Sequence, residues 1–190
     1  RGGGGGGGGG YSEVDAQEVL SMVAAALGEF WSYPSVVIPC CTVLASLAKV
    51  RAKDPNNLTV SDPNAGGAIR AAWHPCLEGL IKALRARPGD VSVAVSASVA
   101  LAWICEKQAT PQGAVVGDLM SAFVMVMRAH PRDGDVAEAG CFMFTTVAKR
   151  SDAEVRECVI KSGAPLLIVM VLRHFSQQQG EVEGVLRRGV

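Results

Sequence analysis

Arg85-Ala86-Arg87-Pro88-Gly89-Asp90-Val91-Ser92-Val93-Ala94 and Arg128-Ala129-His130-Pro131-Arg132-Asp133-Gly134-Asp135-Val136-Ala137 are the two stretches whose comparison decides the fold. Displaced by 43 residues they superpose without a gap, with Arg, Ala, Pro, Asp, Val and Ala each falling on its own kind. The flanking apolar positions keep step. Leu80, Ile81 and Leu84 meet Phe123, Val124 and Met127, while Val99, Leu101 and Ile104 meet Phe142, Phe144 and Val147. Upstream, Leu27, Val36, Leu44 and Leu47 align with Leu84, Val93, Leu101 and Ile104 at an offset of 57, which implies an insertion of about 14 residues. Segment 51–67 is its place, because it is polar, holds Pro55 and Pro63 and contains every asparagine of the chain. Downstream, Leu172 and Arg173 continue the series near an offset of 45, whereas anchoring on Pro75 and Pro165 shifts the alignment by two residues, and both registers stay open. Self-similarity at a fixed step is the mark of a repeat architecture.

The local pattern says what each repeat is made of. From Asp15 onward apolar residues recur at three and four, the period of a helix and of no other element. Asp15 with Glu18, Asp135 with Glu138 and Ser151 with Glu154 match the spacing of a capping box, which predicts three helix starts. Pro39, Pro75, Pro111 and Pro165 each precede an apolar run and are expected in first turns, where a missing amide proton does no harm. Gly89, Gly134, Gly163 and Gly180 are expected in turns, where positive φ is cheap for glycine. The fold class that follows is all-α.

A step in the low forties built from helices alone has the length of armadillo and HEAT repeats. Glu154 to Leu172, E-V-R-E-C-V-I-K-S-G-A-P-L-L-I-V-M-V-L, resembles the short first helix, the Gly-Ala-Pro corner and the start of the long third helix of an armadillo repeat. Val136 to Ala148, with Ala139-Gly140-Cys141 at its middle, is similar to the second helix with small residues at a tight crossing. The wording R-A-H-P and A-E-A-G-C resembles tandem armadillo repeats of large algal and protist proteins, and loosely the armadillo region of leucine-rich repeat kinases. The resemblance implies a right-handed α-α superhelix of about four repeats over 15–190, preceded by a Gly-rich flexible linker over 1–14. It also implies a protein-binding scaffold, or the non-catalytic regulatory or targeting arm of a larger enzyme such as a kinase. A compact helical bundle with accidental repeats is the remaining alternative.

Bulk composition fits. Apolar residues make up 49% of the chain and aromatic ones only 5%, which favours close-packed helices over a β-sandwich. Basic and acidic residues balance at 18 each, so no global field draws the chain to nucleic acid or to an acidic membrane surface. A nucleic-acid solenoid would carry excess positive charge and stacking aromatics on one face. Gly2 to Gly10 lacks the Gly-Lys-Ser/Thr ending of a phosphate loop. No charged-then-apolar leader follows Arg1, and the chain reads as a piece of a longer protein. Val91 to Cys105 is the longest weakly polar run and falls short of the roughly 20 residues a bilayer span needs. Six cysteines without a ligand pair read as buried reduced thiols of a cytoplasmic protein, with the nucleus also compatible.

No chemistry emerges from the motifs, and no cofactor or metal is expected. Nucleophilic catalysis needs a histidine oriented by a carboxylate beside Ser or Cys. His130 and His174 instead read as helix-end residues, where the dipole favours imidazolium. His74-Pro75-Cys76 holds a His and a Cys, but no second pair at usable spacing completes a zinc set. Adjacent Cys40 and Cys41 project about 100° apart on a helix, so at most one is expected to face the core squarely, and a redox role stays open. Asp133, Asp135 and Glu138 are accounted for by a turn and a cap.

The candidate site is a surface. In the armadillo fold the third helices line a groove. On Leu77 to Arg87 the core positions are Leu77, Leu80, Ile81 and Leu84, which leaves Glu78, Lys82 and Arg85 outward. Arg85 repeats at Arg128 and, in one register, at Arg173. A row formed by Lys82, Arg85, Arg128 and Arg173 would suit the carboxylates or phosphates of a protein or extended peptide, acidic by preference. Each arginine equally suits a helix's last turn, where it answers the dipole and reads nothing. The groove asparagines of importin-α and β-catenin have no counterpart, because Asn56, Asn57 and Asn64 all lie in the insertion. Trp31 and Trp73 therefore lack the asparagine neighbours that nuclear-localisation-signal binding uses, and Trp103 is expected on a second helix.

Overall fold

The computed structural model describes residues 13–53, 65–107, 113–149 and 153–188, all within helices or the corners between them. The helices are α1 (Glu13–Phe30), α2 (Pro34–Lys53), α3 (Ala65–Ala86), α4 (Val91–Lys107), α5 (Gly113–Ala129), α6 (Gly134–Lys149), α7 (Ala153–Lys161) and α8 (Ala164–Arg188). No strand occurs among the described residues.

The 43-residue step is a step in hydrogen bonds. In the α3–α4 corner, Arg87 N donates to Ala83 O, Asp90 N to Arg87 O and Ala94 N to Asp90 O. In the α5–α6 corner the same bonds join His130 to Val126, Asp133 to His130 and Ala137 to Asp133. An aspartate caps each following helix. Val93 N donates to Asp90 Oδ1 at 3.1 Å and Val136 N to Asp133 Oδ1 at 3.0 Å, so one orphan amide of each first turn is satisfied. Asp90→Ala and Asp133→Ala are each expected to cost about 1 kcal/mol, measurable as a lowered midpoint in urea at unchanged slope.

Neighbouring corners are tied to each other at the repeated position. Arg87 Nε donates to Ser32 O at 2.6 Å, and His130, one step on, lies 2.8 Å from Pro88 O through Nε2. A carbonyl can only accept, so His130 carries its proton on Nε2.

Packing follows the same alternation. α1 lies against α3, α3 against α5 and α5 against α7, while α2 lies against α4 and α4 against α6. Successive helices also meet within α1–α4 and within α5–α8. One apolar cluster runs through the whole arrangement, from Leu20 to Val171. Leu27 and Leu84, which share a repeat position, are both fully buried, as are Leu44 and Leu101. Each such side chain contributes about 1.5–3 kcal/mol by leaving water. Ala94, Ala97, Ala100 and Ala102 on α4 are fully buried too, small enough to let helices close in on several sides.

Several local expectations need correction. Pro39 and Pro75 lie inside α2 and α3. Buried residues on both sides of each, Val37 and Cys40 around Pro39 and Trp73 and Cys76 around Pro75, carry the helix through the lost amide bond. Pro165 does sit in a first turn, that of α8. Asp15 is inside α1 rather than ahead of it, and α6 is capped by Asp133 rather than Asp135. Gly134 opens α6, Gly180 is inside α8, and Gly163 is the glycine with positive φ, at 76° in the α7–α8 corner. Helices reach Lys53 and resume at Ala65, so part of the proposed insertion over 51–67 is helical. Gly2 to Gly10, the remaining insertion residues, Pro111 and Ser151 lie outside the described residues. No described helix is long and apolar enough to cross a membrane.

Candidate binding surface along α3, α5 and α7

Lys82 and Arg85 are both exposed on α3. Arg85 is not a free cation, because its Nη2 lies 2.5 Å from Asp118 Oδ1 on α5 and 3.4 Å from the Asp118 carbonyl. Both side chains are about half-exposed, and water screening holds such a pair to about 0–1 kcal/mol. Sequence reasoning missed Asp118. It stands 33 residues away, and which turn of α5 lies beside Arg85 is a matter of packing, with no local pattern to announce it.

Arg128 sits in a different setting. With Gly117, Ser121, Val124 and Met125 of α5 it forms one wall of an open cleft of about 610 Å³. Cys158, Lys161 and Ser162, from α7 and the corner behind it, form the other. Lys161 is held at 2.6 Å by Glu157 one helical turn away. The Lys161 ammonium lowers the pKa of Glu157 and the Glu157 carboxylate raises that of Lys161, in each case foremost through their shared hydrogen bond and then through charge. Arg173 is exposed but outside the lining of this cleft. It also lies well inside α8, so the last-turn explanation serves Arg85 and Arg128 and not Arg173.

The three histidines have different settings. His74 Nδ1 is 3.7 Å from Glu78 on the outer face of α3, while fully buried Cys76 turns inward, its thiol donating to Leu20 O and Ala72 O. The two therefore do not share a ligand site. His130 is committed to Pro88, and His174, inside α8 rather than at its end, packs edge-on against Phe175 at 5.5 Å. The tryptophans also serve the fold. Trp73 is buried, and Trp103 on α4 has the Lys49 ammonium over its ring at 4.8 Å and the Phe142 ring edge-on at 5.8 Å.

Cys40 and Cys41 are both buried, against the expectation that only one would face the core. α2 is covered by α1 on one side and α4 on the other, so two directions 100° apart both end in protein. None of the six cysteines is joined in a disulfide. Burial foremost, and the neighbouring Cys40 sulfur second, pushes Cys41 and Cys76 up to about 12. In the unfolded chain these thiols ionise near pH 8.5. Between about pH 9 and 12 the unfolded state therefore binds fewer protons than the folded one, and stability falls as pH rises through that window. Iodoacetamide is expected to modify half-buried Cys141 and Cys158 first and Cys41 and Cys76 last, with the order lost in urea.

Compared with family models, curated proteins and solved structures, the chain matches none.

Proposed function

We propose that the chain is an armadillo-type α-α superhelix, right-handed, that acts as a non-enzymatic scaffold and holds an extended segment of a partner protein along the α3, α5 and α7 face. The observation that carries this reading is the corner hydrogen-bond set repeated at a 43-residue step, with alternate helices packed side by side. Such an arrangement brings the exposed strips of successive repeats next to one another, which is how repeat proteins make long binding surfaces. The strip of α3 offers Lys82, that of α5 offers Arg128, and Arg173 extends the basic character onto α8. Arg85 is assigned the structural role of joining α3 to α5. The histidines have packing partners, and the reading assigns no catalytic step to any of them.

Two measurements test it. A compact globule of this length has a radius of gyration of about 16 Å, and small-angle scattering of an elongated stack should give a clearly larger value. Charge reversal at Lys82 and Arg128 is expected to weaken binding of an acidic peptide at least about tenfold, while reversal of Arg132, an exposed corner residue, leaves it unchanged. Equal effects of all three reversals would leave only non-specific attraction and overturn the assignment of this face.

A further inference from the structure

The two seams of this face differ in charge. Between α3 and α5, Arg85 is answered by Asp118, and Glu78 stands about two turns before Arg85 on the same strip. One 43-residue step on, Arg85 becomes Arg128, Glu78 becomes Ser121 and Asp118 becomes Lys161. Both acids are gone, and a second cation has taken the place of one of them. Arg128 and Lys161 line the same cleft. Glu157 answers Lys161 along α7, yet it is not among the cleft's lining residues, and Arg128 has no ion pair among the described residues. Val124 and Met125 add apolar surface to the cleft's lining.

We infer that the α5–α7 cleft is a carboxylate-binding site, which takes an acidic side chain of a partner protein between Arg128 and Lys161 as Arg85 takes Asp118. The inference rests on the scaffold reading and adds a defined subsite to it. A guanidinium binds a carboxylate through two parallel hydrogen bonds, a geometry that an ammonium alone cannot offer. The apolar surface accepts the methylenes of a glutamate, and the Ser121 hydroxyl, which makes no hydrogen bond among the described residues, is a donor at the rim. Ser162 is already committed, donating to Val159 O at 2.7 Å and accepting from Ala164 N at 3.2 Å.

Cys158 provides a local reporter, because it lines the cleft. The probes are an acetylated, amidated hexaglutamate peptide, its hexaglutamine counterpart and inorganic phosphate, tested on the whole chain. Hexaglutamate is expected to slow alkylation of Cys158 several-fold without slowing that of Cys141, and hexaglutamine is not. Lys161→Asp gives Arg128 an internal carboxylate. It is expected to weaken hexaglutamate binding about tenfold or more, the scale of a lost charge-assisted hydrogen bond. Arg128→Gln is expected to weaken it likewise. Hexaglutamate that leaves Cys158 unprotected, or that binds as tightly to Lys161→Asp and Arg128→Gln, overturns the site. Phosphate that protects at the same concentration makes it a small-anion site and overturns the acidic side chain as its ligand. Binding broken by Lys82→Glu but not by Lys161→Asp removes the cleft and leaves the scaffold reading standing.

Discussion

Phe123→Ala is expected to lower the unfolding free energy by about 3–5 kcal/mol, the range for removing a large aromatic side chain from a core. Phe123 is fully buried on α5, and its ring meets Phe144 of α6 edge-on at 5.9 Å and 70°. An edge-to-face pair adds about 0.5–1.5 kcal/mol to the area buried, and the void left behind lies between two helices held by their own neighbours. Set against a total of about 5–15 kcal/mol for an ordinary domain, the loss is a large share. Equilibrium urea unfolding followed by circular dichroism measures it. A double-mutant cycle with Phe144→Leu isolates the ring-ring part. A loss below about 1 kcal/mol would mean that α5 and α6 do not share this core.

Gly79→Val is the second large effect, and its cause is backbone proximity. A Cβ placed on Gly79 of α3 would stand 2.7 Å from the Leu27 Cβ of α1, an atom that no rotamer change can move away. The helices must separate, and overpacking of this kind typically costs about 1–3 kcal/mol. Alanine at 79 carries the same clash but regains about 1 kcal/mol of helix propensity, so it should be milder than valine. Because the clash is with Cβ, Leu27→Ala is expected to give no rescue. Gly140 offers the contrast. A Cβ there would meet Met127 Sδ at 2.7 Å and Cε at 3.1 Å, the far part of a flexible side chain. Gly140→Ala should therefore be tolerated better, and relieved further by Met127→Ala. Rescue of Gly79→Val by Leu27→Ala would contradict the close approach of α1 and α3.

How much of this was legible in the sequence depends on the range of the interaction. The step between Arg85 and Arg128 was visible, and helix ends at Ala86 and Ala129 and helix starts at Val91 and Gly134 obey it to the residue. The 57-residue offset likewise carries Pro34, the start of α2, onto Val91. Single-position rules fared worse. Pro39 and Pro75 fit a first turn on local grounds, but buried neighbours before and after each outweigh the one amide bond that proline forfeits. In Asp133-Gly134-Asp135 either acid fits a cap, and only the position of the Val136 amide chooses Asp133. For the surface, which residues of α3 face outward was readable from helical period. That Asp118 would neutralise Arg85, and that Lys161 would line one cleft with Arg128, depends on how one helix lies beside the next. The signal available beforehand was that the 43-residue step pairs Asp118 with Lys161, an exchange of sign.

α4 has neighbours on either side, α2 and α6, and α3 behind it, with its alanines fully shielded. α7, by contrast, is a short helix whose buried side chain is Val155. Where each element leans only on those beside it, opening propagates from neighbour to neighbour instead of striking all at once. Amide protons of α4 should then exchange with deuterium only in the rarest, most complete openings, and those of α7 in frequent partial ones. Loss of α7 would dismantle one wall of the Arg128 cleft while α2 and α4 remain paired, so the chain can lose that cleft without losing its fold.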